Sequence, residues 1–358
     1  MFILMMSMRM MTCLCRWKNS DLSGYFIFRL FCCRGGGVYS EVMKKAVIYV
    51  FSGTGNTRLI ADLYKQNLTE YETTVYDVKM KKNVSAVSGK TFFEFEPFPD
   101  PREFDLVGFG HPVYGFNIPK PFDDFINLLP ALGTKSEKVK KAFVFKTSGE
   151  GLYINEFSSQ RLIAKMEKKG FEFVSDRHYV MPYNMIFRHT PEMVKREWLY
   201  ASAYSKLSCM EIQQGKADKV HINPVLRFWV PLVRIEWLYY PLSAPFSLKV
   251  DLEKCIKCQK CVKSCPLNNI SFNGKEFKFG NNCTMCTSCS FGCPTSAISI
   301  GLLNGWKING SYSIKKTAEN KKVEPPEIGK DYSDLHPWLY KKYYRRIDKK
   351  LISAGIEL

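Results

Sequence analysis

From Met43 onward, short apolar runs alternate with segments whose apolar residues recur every three to four positions. Ala46 to Phe51 is an almost unbroken apolar run, the pattern of a parallel strand buried on both faces. A helical stretch from Arg58 to about Leu68 follows it. Thr73 to Val78, Asp105 to Gly110 and Ala142 to Thr147 read as further strands, and Phe171 to Val174 with Tyr179 to Met181 as a broken fifth. Helical patterns near Pro121 to Leu129 and Ile154 to Lys169 lie between the later strands. Thr190, Pro191 and Glu192 have the order N-cap, first-turn proline, acidic residue, and predict a helix running to about Gln214. This alternation predicts an α/β domain with a doubly wound parallel five-stranded sheet.

Outside that stretch the periodicity changes. Val225 to Leu248 is rich in Trp, Tyr and Pro, but Arg227, Arg234, Glu236 and the prolines between 224 and 245 exclude a membrane span there. It reads as a connector over 219–250, with weak membrane-surface contact as the alternative. Leu339, Tyr343, Ile347 and Leu351 repeat at helical spacing and predict a short, solvated amphipathic helix in a basic C-terminal tail, 302–358. Residues 1–42 lack the pattern of the rest, and their apolar start has no basic segment before it and is broken by Arg9, Arg16 and Lys18. We expect them to be disordered or a wrongly assigned start ahead of Met43, with a signal peptide as the alternative.

Eight of the 13 cysteines fall in two runs. The first is Cys255, Cys258, Cys261 and Cys265 followed by Pro266, and the second is Cys283, Cys286, Cys289 and Cys293 followed by Pro294. Each run is C-x2-C-x2-C-x3-C-P, the spacing of bacterial dicluster ferredoxins, and the resemblance implies two [4Fe–4S] clusters in an α+β ferredoxin-like domain over 251–301. In that pattern the fourth ligand comes from the other run. Cys255, Cys258, Cys261 and Cys293 are then expected to hold one cluster, and Cys283, Cys286, Cys289 and Cys265 the other. A zinc site is the alternative, but it more commonly shows two separated C-x2-C pairs. Cys13, Cys15, Cys32, Cys33 and Cys209 make no even disulfide framework, and cluster thiolates need a reducing compartment, so a cytoplasmic protein is expected.

The first strand ends in Ser52-Gly53-Thr54-Gly55-Asn56-Thr57, and a helix follows. Strand, hydroxyl- and glycine-rich loop, helix is an arrangement that cradles a phosphate on free N–H groups. It contains neither the Walker lysine nor the G-x-G-x-x-G of nicotinamide sites. The loop resembles the phosphate loop of flavodoxins, which implies FMN, a flavodoxin-like strand order 2-1-3-4-5, and a domain over 43–218. By the same resemblance the loops after strands three and four hold the flavin ring. Those loops offer Val113, Tyr114, Gly115, Phe116 and Asn117 on one side and Ser148 and Gly149 on the other. Tyr114, Phe116 and Tyr153 are the aromatics available to lie against the ring, or to pack their loops onto the sheet. His111 is expected to be structural and not a proton donor.

A flavodoxin-like half followed by a dicluster ferredoxin half resembles the ferrodoxin family of flavodoxin–ferredoxin fusions, over about Met43 to Gly310. The resemblance implies electron transfer between FMN and two [4Fe–4S] clusters in anaerobic-type metabolism, by a carrier more than a substrate-specific oxidoreductase. A reductase of a quinone or nitro compound, fed by its own clusters, is the alternative. The charge departs from the acidic habit of free carriers: the chain is formally +18. Without 1–42 and with oxidised clusters and a phosphate bound, it remains at about +9. Lys254, Lys257, Lys260, Lys263, Lys275 and Lys278 surround the cysteine runs, with Glu276 the one acid from Lys254 to Pro294. Acidic redox partners such as ferredoxin or flavodoxin are expected. Nucleic acid is not, although tyrosines between basic residues from Tyr340 to Arg346 carry that remote alternative.

Overall fold

The computed structural model describes residues 43–84, 91–132, 139–217, 248–280, 283–324 and 337–358. The extension expected over 1–42 lies outside them, as does the expected connector up to residue 247. Residues Met43–Leu358 form one compact unit.

In chain order this unit begins β1 (Lys44–Val50), α1 (Asn56–Asn67), β2 (Tyr71–Asp77), then a hairpin of β3 (Met80–Val84) and β4 (Thr91–Phe95). It continues β5 (Leu106–Pro112), α2 (Lys120–Leu128), β6 (Lys140–Ser148), α3 (Gln160–Lys168), β7 (Phe171–Val180) and α4 (Pro191–Gln213). The main sheet is all-parallel in the order β2-β1-β5-β6-β7, the doubly wound flavodoxin-like arrangement. Ala46 to Val50 are fully buried because layers cover both faces of β1. Ile48 and Val50 pack with α1 and α4, while Val47 and Tyr49 pack with α2 and α3. The start of α4 is capped as its sequence predicts, with Thr190 Oγ1 accepting from Met193 N at 3.3 Å.

Two features correct the sequence reading. The broken fifth strand is continuous, and its polar middle is buried with partners. Asp176 meets Lys146 at 2.6 Å and Ser159 at 2.8 Å, Arg177 pairs with Glu211, and His178 Nε2 lies 2.7 Å from Ser148 Oγ. Backbone pairing to β6, which slips register at Ala142/Phe143, carries the strand through residues that apolar periodicity alone reads as a gap. Lys146 and Asp176 are both almost wholly enclosed. Asp176→Ala leaves a buried ammonium unpaired, and we expect a loss of about 3–5 kcal/mol, read as a lowered urea midpoint.

The second correction is the tail. After α4 come β8 (Leu248–Val250), α5 (Lys260–Lys263), β9 (Ile270–Phe272), β10 (Phe277–Phe279), α6 (Ser288–Phe291) and β11 (Ile298–Ile300). The chain closes with α7 (Ile314–Glu319) and α8 (Pro337–Ser353). Helix α8 has 17 residues and one side of it is not solvated: Tyr340, Tyr343, Tyr344, Ile347 and Leu351 are buried in the core on the α1/α4 face of the sheet. Tyr340 and Tyr343 bury the apolar bodies of their rings while their hydroxyls keep partners. Tyr343 Oη donates to His178 O at 2.8 Å, and Tyr340 Oη donates to Gly149 O at 2.8 Å. Rings held this way are not available to stack on nucleotides.

Strands β9 and β10 pair, as do β8 and β11, in two small antiparallel ladders. Among the described residues no helix is long and apolar enough to cross a membrane.

Candidate functional site

The loop after β1 is shaped to take an anion. Its last glycine, Gly55, is the N-cap of α1 with φ 102°, and it offers no side chain to the helix end. Ser52 Oγ accepts from Gly55 N at 3.2 Å, which folds the loop back on itself. Among the described residues, the amides of Thr54, Asn56 and Thr57 find no acceptor. Uncapped first-turn N–H groups at the positive end of a helix are what a phosphate satisfies.

Beside this loop lies a cleft of about 670 Å³ at the carboxyl ends of the strands. Of the residues that the sequence assigns to FMN, Ser52, Gly53, Thr54, Asn56, Thr57, Val113, Tyr114, Gly115, Phe116, Ser148 and Gly149 line it. Gly55 and Asn117 do not. Gly55 turns the chain into α1, while Asn117 closes the ring-loop turn through paired backbone bonds with Tyr114 at 3.0 Å and a side-chain bond to Gly115 O at 2.9 Å. Tyr153 is also outside the cleft, packed edge-on against Phe157. His111 is buried, its Nδ1 is 3.0 Å from Pro112 O, and burial pushes its pKa down to about 3. It stays neutral and structural.

The sequence reading missed one wall. Pro182, Tyr183, Asn184, Met185 and Ile186, in the loop after β7, line the cleft. Tyr183 lies so close over Gly149 that a Cβ there would be 2.1 Å from its ring. Its hydroxyl donates to Glu150, whose other carboxylate oxygen accepts from Asn155 Nδ2 at 2.8 Å. The signal available was positional: this loop leaves the carboxyl end of a sheet strand, where ligands of such sheets bind. Asn155 Oδ1 and Thr284 Oγ1 are buried polar atoms without partners, and both residues line the cleft. Orphans of this kind call for a polar ligand.

The eight cysteines form two quartets. Cys255, Cys258, Cys261 and Cys293 line one cavity, and Cys265, Cys283, Cys286 and Cys289 line another, so each quartet takes three thiols from one run and one from the other. Among the described residues no three His, Cys, Asp or Glu side chains converge on a single-ion point. Lys257, Gln259 and Asn268 have positive φ, and so do Met285, Thr287 and Ser296, 28 residues further on in each case. This shared backbone shape turns N–H groups onto sulfur: Lys257 to Cys255 at 3.4 Å, and Met285 to Cys283, Asn269 to Cys265 and Ala297 to Cys293, all at 3.3 Å. Such bonds favour thiolate and tune cluster potential. Four-thiol cavities with N–H donors fit iron–sulfur clusters.

Residues 247–294 match the family model described as a 4Fe-4S dicluster domain. The chain joins a flavodoxin-like fold to a 4Fe-4S dicluster domain. No curated protein matches the chain. Among solved structures it is similar to flavodoxin 1 from Bacillus cereus, at 19% identity over 48% of this chain and 95% of that one, TM-score 0.31. The Streptococcus pneumonia TIGR4 flavodoxin matches at 23% identity over 37% and 82%, TM-score 0.27. A flavoprotein in complex with FMN from Lactobacillus acidophilus matches at 15% identity over 38% and 93%, TM-score 0.27. The flavodoxin-like assignment of this chain rests on its own strand order.

The dicluster domain also builds the cleft. Thr284, Met285, Leu303 and Trp306 line it alongside the flavodoxin-like loops. Asn184 Nδ2 donates to Cys286 O at 3.1 Å, and Ile186 N donates to Trp306 O at 2.7 Å. The unanticipated β3/β4 hairpin holds the other side, Met80 N donating to Pro266 O at 3.2 Å and Met80 O accepting from Asn268. The glycine loop itself meets the dicluster domain at Gly53, where an added Cβ would lie 2.6 Å from Cys286 Cβ and 3.3 Å from its Sγ. Cys286 is buried, and burial and then the neighbouring thiols push its pKa well up, whereas Cys258 is exposed. One quartet therefore abuts the cleft and the other opens to solvent with Lys260 on its cavity wall, while Lys254, Lys257, Lys263, Lys275 and Lys278 are exposed in the same domain. Among the described residues, the non-glycine residues of positive φ outside the two cysteine runs and the turns that follow them are Phe116 and Ile186, both on the cleft. Backbone strain thus gathers where cofactors fit. The chain thus packs a 4Fe-4S dicluster domain against the ligand-binding end of a flavodoxin-like sheet.

Proposed function

We propose that this protein carries electrons between an acidic redox partner and an FMN held in the cleft, through two [4Fe–4S] clusters. The observation that carries this reading is the contact of Cys286 with the phosphate-type loop at Gly53. When bound, FMN supplies a centre that exchanges one or two electrons, and the clusters supply one-electron relays. The amides of Thr54, Asn56 and Thr57 with the hydroxyls of Ser52 and Thr54 would hold the phosphate. Tyr114, Phe116, Gly149 and Tyr183 would enclose the ring, and the orphaned Asn155 Oδ1 and Thr284 Oγ1 would meet its polar edge. Met285 and Trp306 would face the ring from the dicluster side of the cleft. The lysine collar over the exposed quartet steers an acidic surface to the solvent-facing end of the relay.

A carrier suits the cleft better than a substrate-specific reductase. Among the described residues Glu150 is the carboxylate on the cleft wall, and Tyr183 and Asn155 both donate to it. His178, pushed well down by burial, contacts Ser148 and stays uncharged. These groups orient the loop and leave no acid–base pair aimed at a substrate. Iron, sulfide and flavin analysis of anaerobically purified protein tests the reading. We expect about eight iron, eight sulfide and one FMN per chain. Full iron with no flavin after FMN is added would reduce the cleft to a docking shape.

A further inference from the structure

A groove of about 820 Å³ runs between α8 and the turn at Gly151, Leu152 and Tyr153. It shares a loop with the flavin cleft: Ser148 to Glu150 line the cleft and Gly151 to Tyr153 line the groove. Its other wall carries Lys341, Lys342, Arg345, Arg346 and Lys349, opposed by Glu156 alone. These five cations occupy positions i, i+1, i+4, i+5 and i+8 of one helix, a stripe about 12 Å long. Like charges at i,i+4 destabilise a helix. A merely solvated face would intersperse acids, but the single acid of α8, Asp348, is buried and accepts from Tyr200 Oη at 2.6 Å. The stripe is maintained against its own repulsion.

We propose that this groove is a second docking face, which takes the acidic surface of a protein electron carrier beside the flavin cleft; the flavin part of the proposal rests on the function proposed above. The distribution of the charges selects a protein surface over a nucleotide phosphate. A phosphate pocket needs an enclosed cation aimed inward, and the most enclosed one here, Arg346, is paired with Glu156 and lies over the Tyr343 ring at 5.8 Å. Lys342, Arg345 and Lys349 are exposed along the rim, where charge guides the encounter of a broad acidic face. Tyr340, one position before the stripe, donates to Gly149 O and so ties α8 to the loop between groove and cleft. The protein then has two basic faces, one over the exposed thiol quartet and one at the flavin.

Calorimetric titration of the holoprotein with an acidic flavodoxin at low ionic strength tests this. We expect two carriers bound per chain. Lys342→Glu/Arg345→Glu/Lys349→Glu should lower this to one, and so should Lys257→Glu/Lys260→Glu/Lys263→Glu on the collar. The neutral pair Arg345→Gln/Lys349→Gln, which removes repulsion from the helix, should weaken the groove event about tenfold with no loss of folding. An unchanged titration in the groove variants overturns the proposal. So does saturable binding of inorganic pyrophosphate that depends on the groove cations while the carrier shows one site throughout. Two carriers bound by a chain that retains no FMN would keep the docking face and remove the flavin reading, so the two failures are distinct.

Discussion

Replacing Cys286 with alanine is expected to cost the protein its tight flavin binding as well as half its iron, whereas Cys258→Ala costs half the iron alone. The difference follows from where the two thiols lie. Cys286 is packed against Gly53, its carbonyl accepts from Asn184, and the adjoining Thr284 and Met285 form part of the cleft wall. Met285 and Thr287 hold φ of 48° and 58°, conformations that L-residues adopt only under constraint. A cluster ligated by this run supplies that constraint, and the loop relaxes without it. Cys258 is exposed in the other quartet and lines a separate cavity. Iron should fall from about eight to about four per chain in both variants. The FMN dissociation constant, read from quenching of flavin fluorescence, should rise at least about tenfold in Cys286→Ala, roughly 1.4 kcal/mol, and stay level in Cys258→Ala. Linkage requires the reverse effect, so added FMN should slow removal of iron from the cleft-side quartet by a chelator. Equal flavin affinity in the two variants, and in chelator-stripped wild type, would mean that the cleft does not depend on the dicluster domain.

How much of this was legible in the sequence depends on the range of the signal. The eight thiols stand in two short runs whose spacing is a local signal, and the structure places four of them around each of two cavities. Strand β1 and the glycine loop are similarly local, because a strand buried on both faces must be apolar throughout. The middle of β7 was not legible: Ser175, Asp176, Arg177 and His178 look like loop residues until Lys146 and Glu211 arrive as partners from elsewhere in the chain. The cleft was half legible. Its phosphate-type loop has a local signature, but Tyr183, Thr284 and Trp306 reach it through long-range packing that no short pattern encodes. The tail misled for a further reason. The repeat picks out Tyr343, Ile347 and Leu351, but it does not show that Tyr340 and Tyr344 join them as buried core residues against the sheet.

Gly53→Ala should be more damaging to flavin binding than Gly55→Ala, although Gly55 is the glycine with the unusual backbone. At Gly55, φ is +102° and a Cβ would meet nothing within 4 Å, so alanine carries only the left-handed backbone cost of about 1–2 kcal/mol. At Gly53 a Cβ would be 2.5 Å from Tyr114 Oη and 2.6 Å from Cys286 Cβ. The tyrosine tip can swing, but Cys286 Cβ sits on a backbone shaped to present sulfur, and the loop must give instead. Overpacking against a fixed partner costs about 1–3 kcal/mol, with more where neither side yields. Because the displaced amides are those that would hold the phosphate, most of that cost should appear as lost affinity. We expect the FMN dissociation constant to rise about 100-fold for Gly53→Ala and no more than about tenfold for Gly55→Ala, with the iron content of both unchanged. The electron paramagnetic resonance of the reduced cleft-side cluster should shift in Gly53→Ala only, since its methyl presses on a cluster ligand. A Gly53→Ala protein that binds FMN as the wild type does, with an unshifted resonance, would show that the phosphate-type loop and Cys286 are not in contact, and the path from cluster to flavin would have to run elsewhere.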